Sequence, residues 1–214
     1  MGERIEHPSV DGRRARRERG RAAVIDAMFQ LLQEGKVPPT ADLVAERSGV
    51  SVASIFRYFD GIDDLQLQTL QRFRERFEPL LHTDTTGDLT ARIGSFVGSR
   101  LDLYERAGAI MAVGRLRALE HEPLVAASAQ MRSTLAGQVR LTFATETAGS
   151  TPGRAADLVA VVDALTSLES WDVMRKTHAR SRAQIAQAWT QGISALIRAW
   201  NEPTEQPIDE GDQT

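Results

Sequence analysis

The apolar residues of this chain recur at helical spacing from its first third to residue 200, and no stretch keeps the two-residue alternation typical of a β-strand. The spacing predicts a first helix that ends at Gly35, two short helices between Thr40 and Phe59, and a longer helix from Ile62. Further helices are predicted over 89–104, 110–116, 124–143, 158–171 and 185–200. A break is expected at Gly108. The sequence therefore predicts an all-α protein.

Two short helical patterns between Thr40 and Leu65 are separated by a tight turn. Thr40 stands where an N-cap residue accepts a hydrogen bond from the first turn of a helix. Gly49 stands where the left-handed residue that ends a helix is expected, and Ser51 is the expected N-cap of the second pattern. Two helices joined by such a turn form a helix-turn-helix.

The same stretch contains a small residue in its first helix, a Gly-Val-Ser turn, a cluster of apolar and aromatic residues, and a Leu that opens the next helix. These residues are Ala45, Gly49, Val50, Ser51, Ile55, Phe56, Tyr58, Phe59 and Leu65. In them the chain resembles the DNA-binding signature of the TetR (tetracycline repressor) family of bacterial transcriptional regulators, over roughly residues 20–70. The family often has Lys at the start of its fourth helix, where this chain has Ile62. The phosphate contact commonly made from that position is therefore not carried over.

The resemblance implies sequence-specific binding to double-stranded DNA with a palindromic operator. A recognition helix enters the major groove with its N-terminal residues, which here follow Ser51. The backbone N–H groups at the helix N-termini after Thr40 and Ser51 suit phosphate. The predicted DNA-binding residues are Arg13, Arg14, Arg16, Arg17, Thr40, Ser51, Val52, Ala53, Ser54, Arg57 and Tyr58.

The arginine run before the helix-turn-helix has two interpretations. Residues 13–21 carry six Arg and one Glu, and they resemble an N-terminal arm that meets phosphate or the minor groove. A solvated basic surface is the alternative, because this chain uses Arg for nearly every cation and has only two lysines, Lys36 and Lys176. For Tyr58 the alternative to a DNA contact is an ordinary half-buried aromatic residue.

A line of residues on the predicted 124–143 helix mixes apolar with uncharged polar side chains. Ser128, Met131, Leu135, Gln138 and Thr142 follow helical spacing there, as the wall of a ligand cavity would, although a partly exposed helix would show the same line. The resemblance implies an effector cavity in this part of the chain for an unknown small molecule. The predicted ligand-binding residues are Phe96, Tyr104, Met111, Arg115, Met131, Leu135, Gln138, Trp171 and Met174.

The last two predicted helices are apolar around much of their circumference. A helix with two apolar faces needs two surfaces to pack against, and a second copy of the chain is expected to supply one of them. The chain is thus predicted to form a homodimer. The predicted interface residues are Leu165, Trp189, Ile193, Leu196 and Trp200.

Composition excludes several classes of protein. A chain with 42% hydrophobic and 26% charged residues is globular, and the lack of cysteine excludes disulfides and cysteine chemistry. No apolar run is long enough to suggest a membrane span, so a cytoplasmic protein without a membrane partner is expected. The net charge of −3 is unevenly distributed, because residues 202–214 carry five acidic residues and no basic one. This acidic end is expected to be disordered.

The sequence offers no catalytic constellation. The four histidines, His7, His82, His121 and His178, lack partners at metal-binding helical spacing, and neither a glycine-rich phosphate loop nor a nucleophile elbow is present. No enzyme activity, metal or cofactor is therefore expected.

The expected organisation is an arm and helix-turn-helix domain over residues 1–62, an effector-binding and dimerisation domain over 63–201, and an acidic tail over 202–214. The predicted function is that of a repressor that leaves its operator when a small hydrophobic ligand binds. A transcriptional activator, an α-helical interaction module whose basic arm binds a protein or an anionic partner, and a small-molecule-processing enzyme with an attached head remain alternatives.

Overall fold

The computed structural model describes residues 10–35, 39–118 and 122–202, and these residues form helices and connecting turns without any strand. The helices are α1 (Val10–Gln33), α2 (Ala41–Ser48), α3 (Val52–Tyr58), α4 (Ile62–Phe77), α5 (Leu89–Ala118), α6 (Glu122–Thr142), α7 (Ala144–Thr147), α8 (Pro152–Leu165), α9 (Leu168–Asp172) and α10 (Arg182–Asn201). A 3-10 turn (Glu78–Leu81) extends α4, and a π-helical turn (Val173–Thr177) extends α9. The predicted all-α class is confirmed.

Helix α1 begins earlier than the sequence pattern indicates. It starts at Val10, passes through Gly12 and continues to Gln33, so the arginines of residues 13–21 belong to a helix. The arginine run is therefore part of a helix and not of an extended arm, because Arg, Ala and Glu are good helix formers and extend α1 towards the N-terminus. Residues 1–9 of the predicted arm lie outside the described residues.

The ends of α2 and α3 are formed by the residues that the sequence indicates. The Thr40 hydroxyl accepts a hydrogen bond from the Leu43 backbone N–H (3.3 Å), and Gly49 ends α2 with a left-handed φ of 69°. The Ser51 hydroxyl accepts the Ser54 backbone N–H, also at 3.3 Å. Each such cap typically contributes about 1 kcal/mol to helix stability. The predicted helix-turn-helix is confirmed.

Helices α1 to α3 and the start of α4 share one apolar core. Its buried residues are Val24, Ala27, Met28, Leu31, Val44, Ile55, Phe59 and Leu65. Complete burial of a large apolar side chain contributes about 1.5–3 kcal/mol, so these contacts hold the short α3 helix in place. Ile55 and Phe59 project inwards from α3, which leaves its other faces free for a partner.

Contacts divide the chain into two compact units. The first comprises the described part of residues 1–81 together with 102–133, and the second comprises 82–101 together with the described part of 134–214. Helices α5 and α6 contribute to both units. The predicted domain boundary at residue 62 stays a prediction, and apart from Glu202 the predicted acidic tail lies outside the described residues.

Two predicted helix boundaries are wrong. Helix α5 runs without interruption from Leu89 to Ala118, because a single glycine such as Gly108 weakens a long helix without ending it. The helix predicted over 158–171 is instead two helices. The Thr166 hydroxyl donates to the Val162 carbonyl (2.8 Å), and Ser167 caps α9 by accepting the Ser170 backbone N–H (3.1 Å). A second N-cap residue in mid-pattern is the signal for this break.

Candidate nucleic-acid interface

The outward face of α3 combines small, aromatic and basic side chains. Ser51, Ala53, Phe56 and Arg57 are exposed, whereas Val52, Ser54 and Tyr58 are half-buried. Phe56 leaves 53% of its surface in solvent, which is unusual for so large an apolar residue. Phe56 belongs to the residues that resemble the family signature but is not among the predicted DNA-binding residues. The signal that could have placed it there is its helical position, which is about 100° around the helix from the inward-facing Ile55.

A line of hydrogen bonds along α3 orients Arg57. The Ser51 hydroxyl donates to the Ser54 hydroxyl oxygen (3.0 Å), and the Arg57 guanidinium donates to the same oxygen (2.9 Å). The guanidinium also lies over the Tyr58 ring, 5.6 Å from its centroid. Because a guanidinium has five N–H donors, Arg57 keeps most of them for a partner outside the chain. The predicted residues Ser51, Ser54 and Arg57 thus form one surface.

Tyr58 packs directly on the backbone of α1. A Cβ atom added at Gly20 would lie only 2.7 Å from the Tyr58 ring atom Cε2 and 3.0 Å from its hydroxyl oxygen. No other residue type fits there unless the ring moves. The half-buried interpretation of Tyr58 is therefore correct for much of its ring, and its contact with Arg57 makes it a support for that side chain.

One arginine of the basic run is used inside the protein. The Arg21 guanidinium donates to the Tyr58 backbone carbonyl (2.7 Å) and to the Gln68 side-chain oxygen (2.6 Å), and it lies 5.1 Å from the Phe59 ring centroid. These contacts join α1, the end of α3 and α4. Arg21 is thereby committed to holding α3 in place and is not a free phosphate ligand.

Gln68 continues this network to Asp64. Its amide donates to both Asp64 carboxylate oxygens at 2.9 and 3.0 Å, and the Asp60 backbone N–H donates to one of them at 3.0 Å. The hydrogen bonds from Gln68 are the main reason why the pKa of Asp64 lies below its usual value. The start of α4 is fixed to the end of α3 by a carboxylate that stays ionised near neutral pH.

The other basic residues of α1 are presented to solvent. Arg13, Arg14, Arg16 and Arg17 are exposed, and none forms an ion pair or hydrogen bond with another described residue. Residues three or four positions apart share a helix face, so Arg13, Arg16 and Arg17 form a basic strip that is rigid in its backbone. Such a strip suits the regularly spaced phosphates of a nucleic-acid backbone.

Ile62 occupies a different environment from the one that a lysine needs. It is half-buried against the apolar core of the first unit. Gly61 before it has a φ of 99° and provides no side-chain cap to α4. The side chain at position 62 therefore packs on the apolar core of the first unit and provides no contact to phosphate.

Solved structures share this architecture. A transcriptional regulator from Rhodococcus sp. Rha1 matches 86% of this chain and 96% of its own, with a TM-score of 0.66. A TetR transcription regulator from Haloarcula marismortui ATCC 43049 matches 85% and 98% (TM-score 0.61), and a TetR-family regulator from Streptomyces coelicolor matches 89% and 92% (TM-score 0.67). Each is 18% identical to this chain. The chain has the TetR-family fold.

Comparisons based on sequence add nothing to this structural likeness. No protein-family model matches the chain, and no curated protein matches it. The fold is thus shared with proteins that are only 18% identical to this chain. Among the described residues, no helix is long and apolar enough to cross a membrane, and no three His, Cys, Asp or Glu side chains are grouped as metal ligands.

The predicted effector residues are distributed over both units of this TetR-family fold. Tyr104, Met111, Arg115 and Met131 belong to the first unit, and Phe96, Leu135, Gln138, Trp171 and Met174 belong to the second. Phe96, Tyr104, Met111, Leu135, Gln138 and Trp171 are buried, while Arg115, Met131 and Met174 are half-buried. As a binding site this set stays a prediction.

Gln138, one of the predicted effector residues, is hydrogen-bonded within the second unit. Its side-chain oxygen accepts from Arg100 Nε (2.8 Å), and its amide donates to the hydroxyls of Thr83 and Ser99. Arg100 is itself almost fully buried and also donates to the Leu135 carbonyl and the Asp163 carboxylate. The Gln138 side chain therefore helps to satisfy a buried arginine. Sequence alone could not show this partner, because Arg100 lies 38 residues away in the chain.

Two of the predicted interface residues are wrong. Trp189 and Ile193 are 1% and 0% exposed within the chain itself, so they fill the core of the second unit and have no surface for a second copy. Leu165 and Leu196 are half-buried. The Leu165 side chain packs on α10, where a Cβ at Gly192 would lie 3.1 Å from it.

Trp200 is held inside the second unit by a reciprocal pair of hydrogen bonds. Its indole N–H donates to the Arg154 carbonyl (3.1 Å), and the Arg154 guanidinium donates to the Trp200 carbonyl (2.6 Å). The same guanidinium lies 5.5 Å from the indole ring centroid. Trp200 is half-buried by these contacts, which fix the end of α10 to the start of α8.

Proposed function

We propose that this protein is a sequence-specific DNA-binding transcriptional regulator, and that it represses transcription as a homodimer until a small hydrophobic ligand releases it. The observation that carries the proposal is the outward face of α3, where Arg57 is oriented by Ser54 while most of its donors remain free. The free arginines of α1 supply the positive charge that attracts a duplex.

The chemistry of α3 matches the base edges of the major groove. The exposed methyl group of Ala53 and the exposed ring of Phe56 suit the C5-methyl group of thymine, whereas hydroxyls such as that of Ser51 bond to several base atoms. Arg57 suits guanine or a phosphate oxygen. Contacts from Arg13, Arg16 and Arg17 would fix the orientation of the protein on the backbone without reading sequence.

A palindromic operator requires two copies of the chain, each with its own α3. The second unit offers a small-residue surface for this pairing. Val161 on α8 is 41% exposed, and the exposed positions of α8 and α10 include several alanines: Ala160, Ala164, Ala188, Ala195 and Ala199. A two-fold interface brings the same patch of both copies together, and small side chains allow helices to approach closely.

Selection from a pool of random duplexes tests DNA recognition directly. The expected outcome is enrichment of one sequence with two inverted half-sites, bound by two chains. Enrichment should be lost with Arg57→Ala and kept with Arg140→Ala, which removes an exposed arginine from α6. A pool that shows no enrichment at low salt would refute the proposal and favour the α-helical interaction module.

Sedimentation of two matched variants tests the pairing surface. Val161→Glu places a charge in the middle of the proposed interface and is expected to give a folded monomer. Leu141→Glu places the same charge on α6, where the side chain is 71% exposed, and should leave the dimer intact. A dimeric Val161→Glu protein would show that the interface lies elsewhere.

A further inference from the structure

A small cavity lies within the first unit, between α1, α4 and the adjoining parts of α5 and α6. Its volume is about 80 Å³, and it is partly open to solvent. Its walls come from helices of the DNA-binding head as well as from those that follow it, and none of the nine predicted effector residues contributes to them. The wall residues that matter here are Met28, Leu32, Gln66, Thr69, Phe73 and Gly114.

The lining defines the chemistry of an occupant. Met28, Leu32 and Phe73 present apolar surface, and no charged side chain is among the described lining residues, so an ion would lose its hydration without compensation. The Thr69 hydroxyl donates to the Leu65 carbonyl (2.7 Å) and can still accept a hydrogen bond. The Gln66 side-chain amide forms no hydrogen bond with another described residue and can both donate and accept. The site thus fits an apolar body with one uncharged hydrogen-bonding group.

The volume limits the size of that molecule. One water needs roughly 10–15 Å³ of space measured in this way, so the cavity admits roughly six heavy atoms. A single ring that carries a hydroxyl group is of this size.

We propose that this cavity binds small, uncharged, mainly apolar molecules such as monocyclic alcohols and phenols, and that its occupation lowers the affinity of the protein for DNA. The second half of the proposal rests on the proposed DNA-binding function. Met28 and Leu32 belong to the apolar core on which Ile55 and Phe59 of α3 pack. An occupant that pushes on these walls acts on the support of the recognition helix.

The aromatic and polar contacts between α1 and α4 provide the mechanical link. Phe73 lies 6.4 Å from Phe29 of α1 and 4.8 Å from Phe77, measured between ring centroids. Arg21 of α1 also donates hydrogen bonds to Gln68 of α4 and to the Tyr58 carbonyl at the end of α3. A ligand that shifts α4 relative to α1 must change the Arg21 contacts, and these contacts hold the end of α3.

Methionine methyl NMR tests binding at the cavity, with phenol as the probe. A ligand of this size is expected to bind with a Kd on the order of 1 mM. Phenol should shift the Met28 methyl signal saturably and leave that of Met174, in the second unit, unchanged. Absence of a saturable Met28 shift would overturn the proposal.

Two glycines of α5 provide a matched pair of variants. A Cβ at Gly114 or at Gly94 meets no atom within 4 Å, so both positions accept a larger side chain. Gly114→Leu fills the cavity from its lining and is expected to abolish the Met28 shift. Gly94→Leu adds the same side chain at an exposed position and should keep it. Persistence of the shift in Gly114→Leu would place phenol elsewhere and overturn the site.

Titration of the selected duplex with and without saturating phenol tests the regulatory half. We expect phenol to weaken DNA binding at least about fivefold in the unchanged protein and in Gly94→Leu, and to have no effect in Gly114→Leu. A saturable Met28 shift with unchanged DNA affinity would refute the coupling. Failure to select any duplex would refute the proposed function instead, while the Met28 titration would still decide whether the cavity binds phenol.

Discussion

The surface around Arg57 and the core around Arg100 are built from the same chemical groups but differ in what those groups have left to bind. In both, a guanidinium is oriented by neutral side-chain oxygens: Ser54 for Arg57 and Gln138 for Arg100. Arg100 is 1% exposed and also donates to the Leu135 carbonyl and the Asp163 carboxylate within its unit, whereas Arg57 is exposed and donates to one hydroxyl. The comparison shows that an oriented arginine can bind a partner outside the chain only where its remaining donors face solvent.

The energetic meaning of the two regions differs as well. A buried charge that loses its partner is left without water or counter-charge, so removal of the partner lowers folding stability. An exposed arginine costs little stability to remove, and its loss appears in binding. Substitutions on the two sides of this comparison should therefore separate stability from DNA affinity.

The largest expected effect is on stability and comes from Arg92→Met. Arg92 donates to the Glu146 carboxylate (2.8 Å) and to the Thr142 carbonyl (2.6 Å), and the Arg92 and Glu146 side chains are 8% and 9% exposed. Removal of one partner from such a buried pair is expected to lower the free energy of unfolding by about 3–5 kcal/mol. Denaturant unfolding measures this change. The control Arg72→Met breaks an exposed pair with Glu75 and should cost no more than about 1 kcal/mol.

The same variant has a predictable pH dependence. The hydrogen bond from Arg92 is the main reason why the pKa of Glu146 lies below its usual value in the folded protein. A lowered folded-state pKa gives stability that is fully present above the unfolded pKa and is lost as pH falls through the folded pKa. The difference in stability between the unchanged protein and Arg92→Met should therefore be largest near neutral pH and shrink in acid. A difference that stays constant down to the acid limit would contradict this role of the pair.

The next effect concerns DNA affinity and comes from Arg57→Ala. A single arginine contact to a base is expected to contribute about 1–3 kcal/mol, and each 1.4 kcal/mol corresponds to a tenfold change in Kd. The thermal midpoint should stay close to that of the unchanged protein, because Arg57 is exposed. Arg57→Lys is the matched control, and it should recover charge but not the fork geometry. Equal DNA affinity of the unchanged protein, Arg57→Ala and Arg57→Lys would show that Arg57 makes no contact with DNA.

A smaller effect is expected from Gly20→Ala. The new Cβ would lie 2.7 Å from the Tyr58 ring, so the ring must leave its place on α1 and Arg57 loses its support. DNA affinity is expected to fall several-fold, by about 1 kcal/mol, the low end for a forced shift of a packed side chain. In a Tyr58→Ala background the same substitution should be neutral for DNA binding, because the clash is absent. An equal loss in both backgrounds would show that Gly20 acts independently of Tyr58.

The features that the sequence predicts best are those decided within a few residues. The caps at Thr40 and Ser51 and the left-handed Gly49 depend on local backbone chemistry, and all three are confirmed. The break between α8 and α9 is also local, and Ser167 carries the signal for it. The helix break predicted at Gly108 is wrong, because a single glycine costs a long helix only about 1 kcal/mol.

The features that could not be predicted depend on what lies opposite a helix face. Trp189 and Ile193 form an apolar stripe on α10, and a stripe has the same spacing whether it meets its own core or a second copy. The line through Gln138 looks like a cavity wall until Arg100 is placed beside it. Likewise, nothing in the arginine run distinguishes Arg21, which bonds to Gln68, from the exposed Arg17.

The central claim is that the faces of α3 and α1 recognise a specific DNA sequence, and titration of two duplexes tests it most directly. One duplex carries the selected inverted repeat, and the other has the same composition in scrambled order. We predict that the selected duplex binds at least about 10³-fold more tightly at physiological salt, and that both affinities fall with a log–log slope of about −0.9 for each phosphate contact. Equal affinity for the two duplexes at every salt concentration would contradict the account.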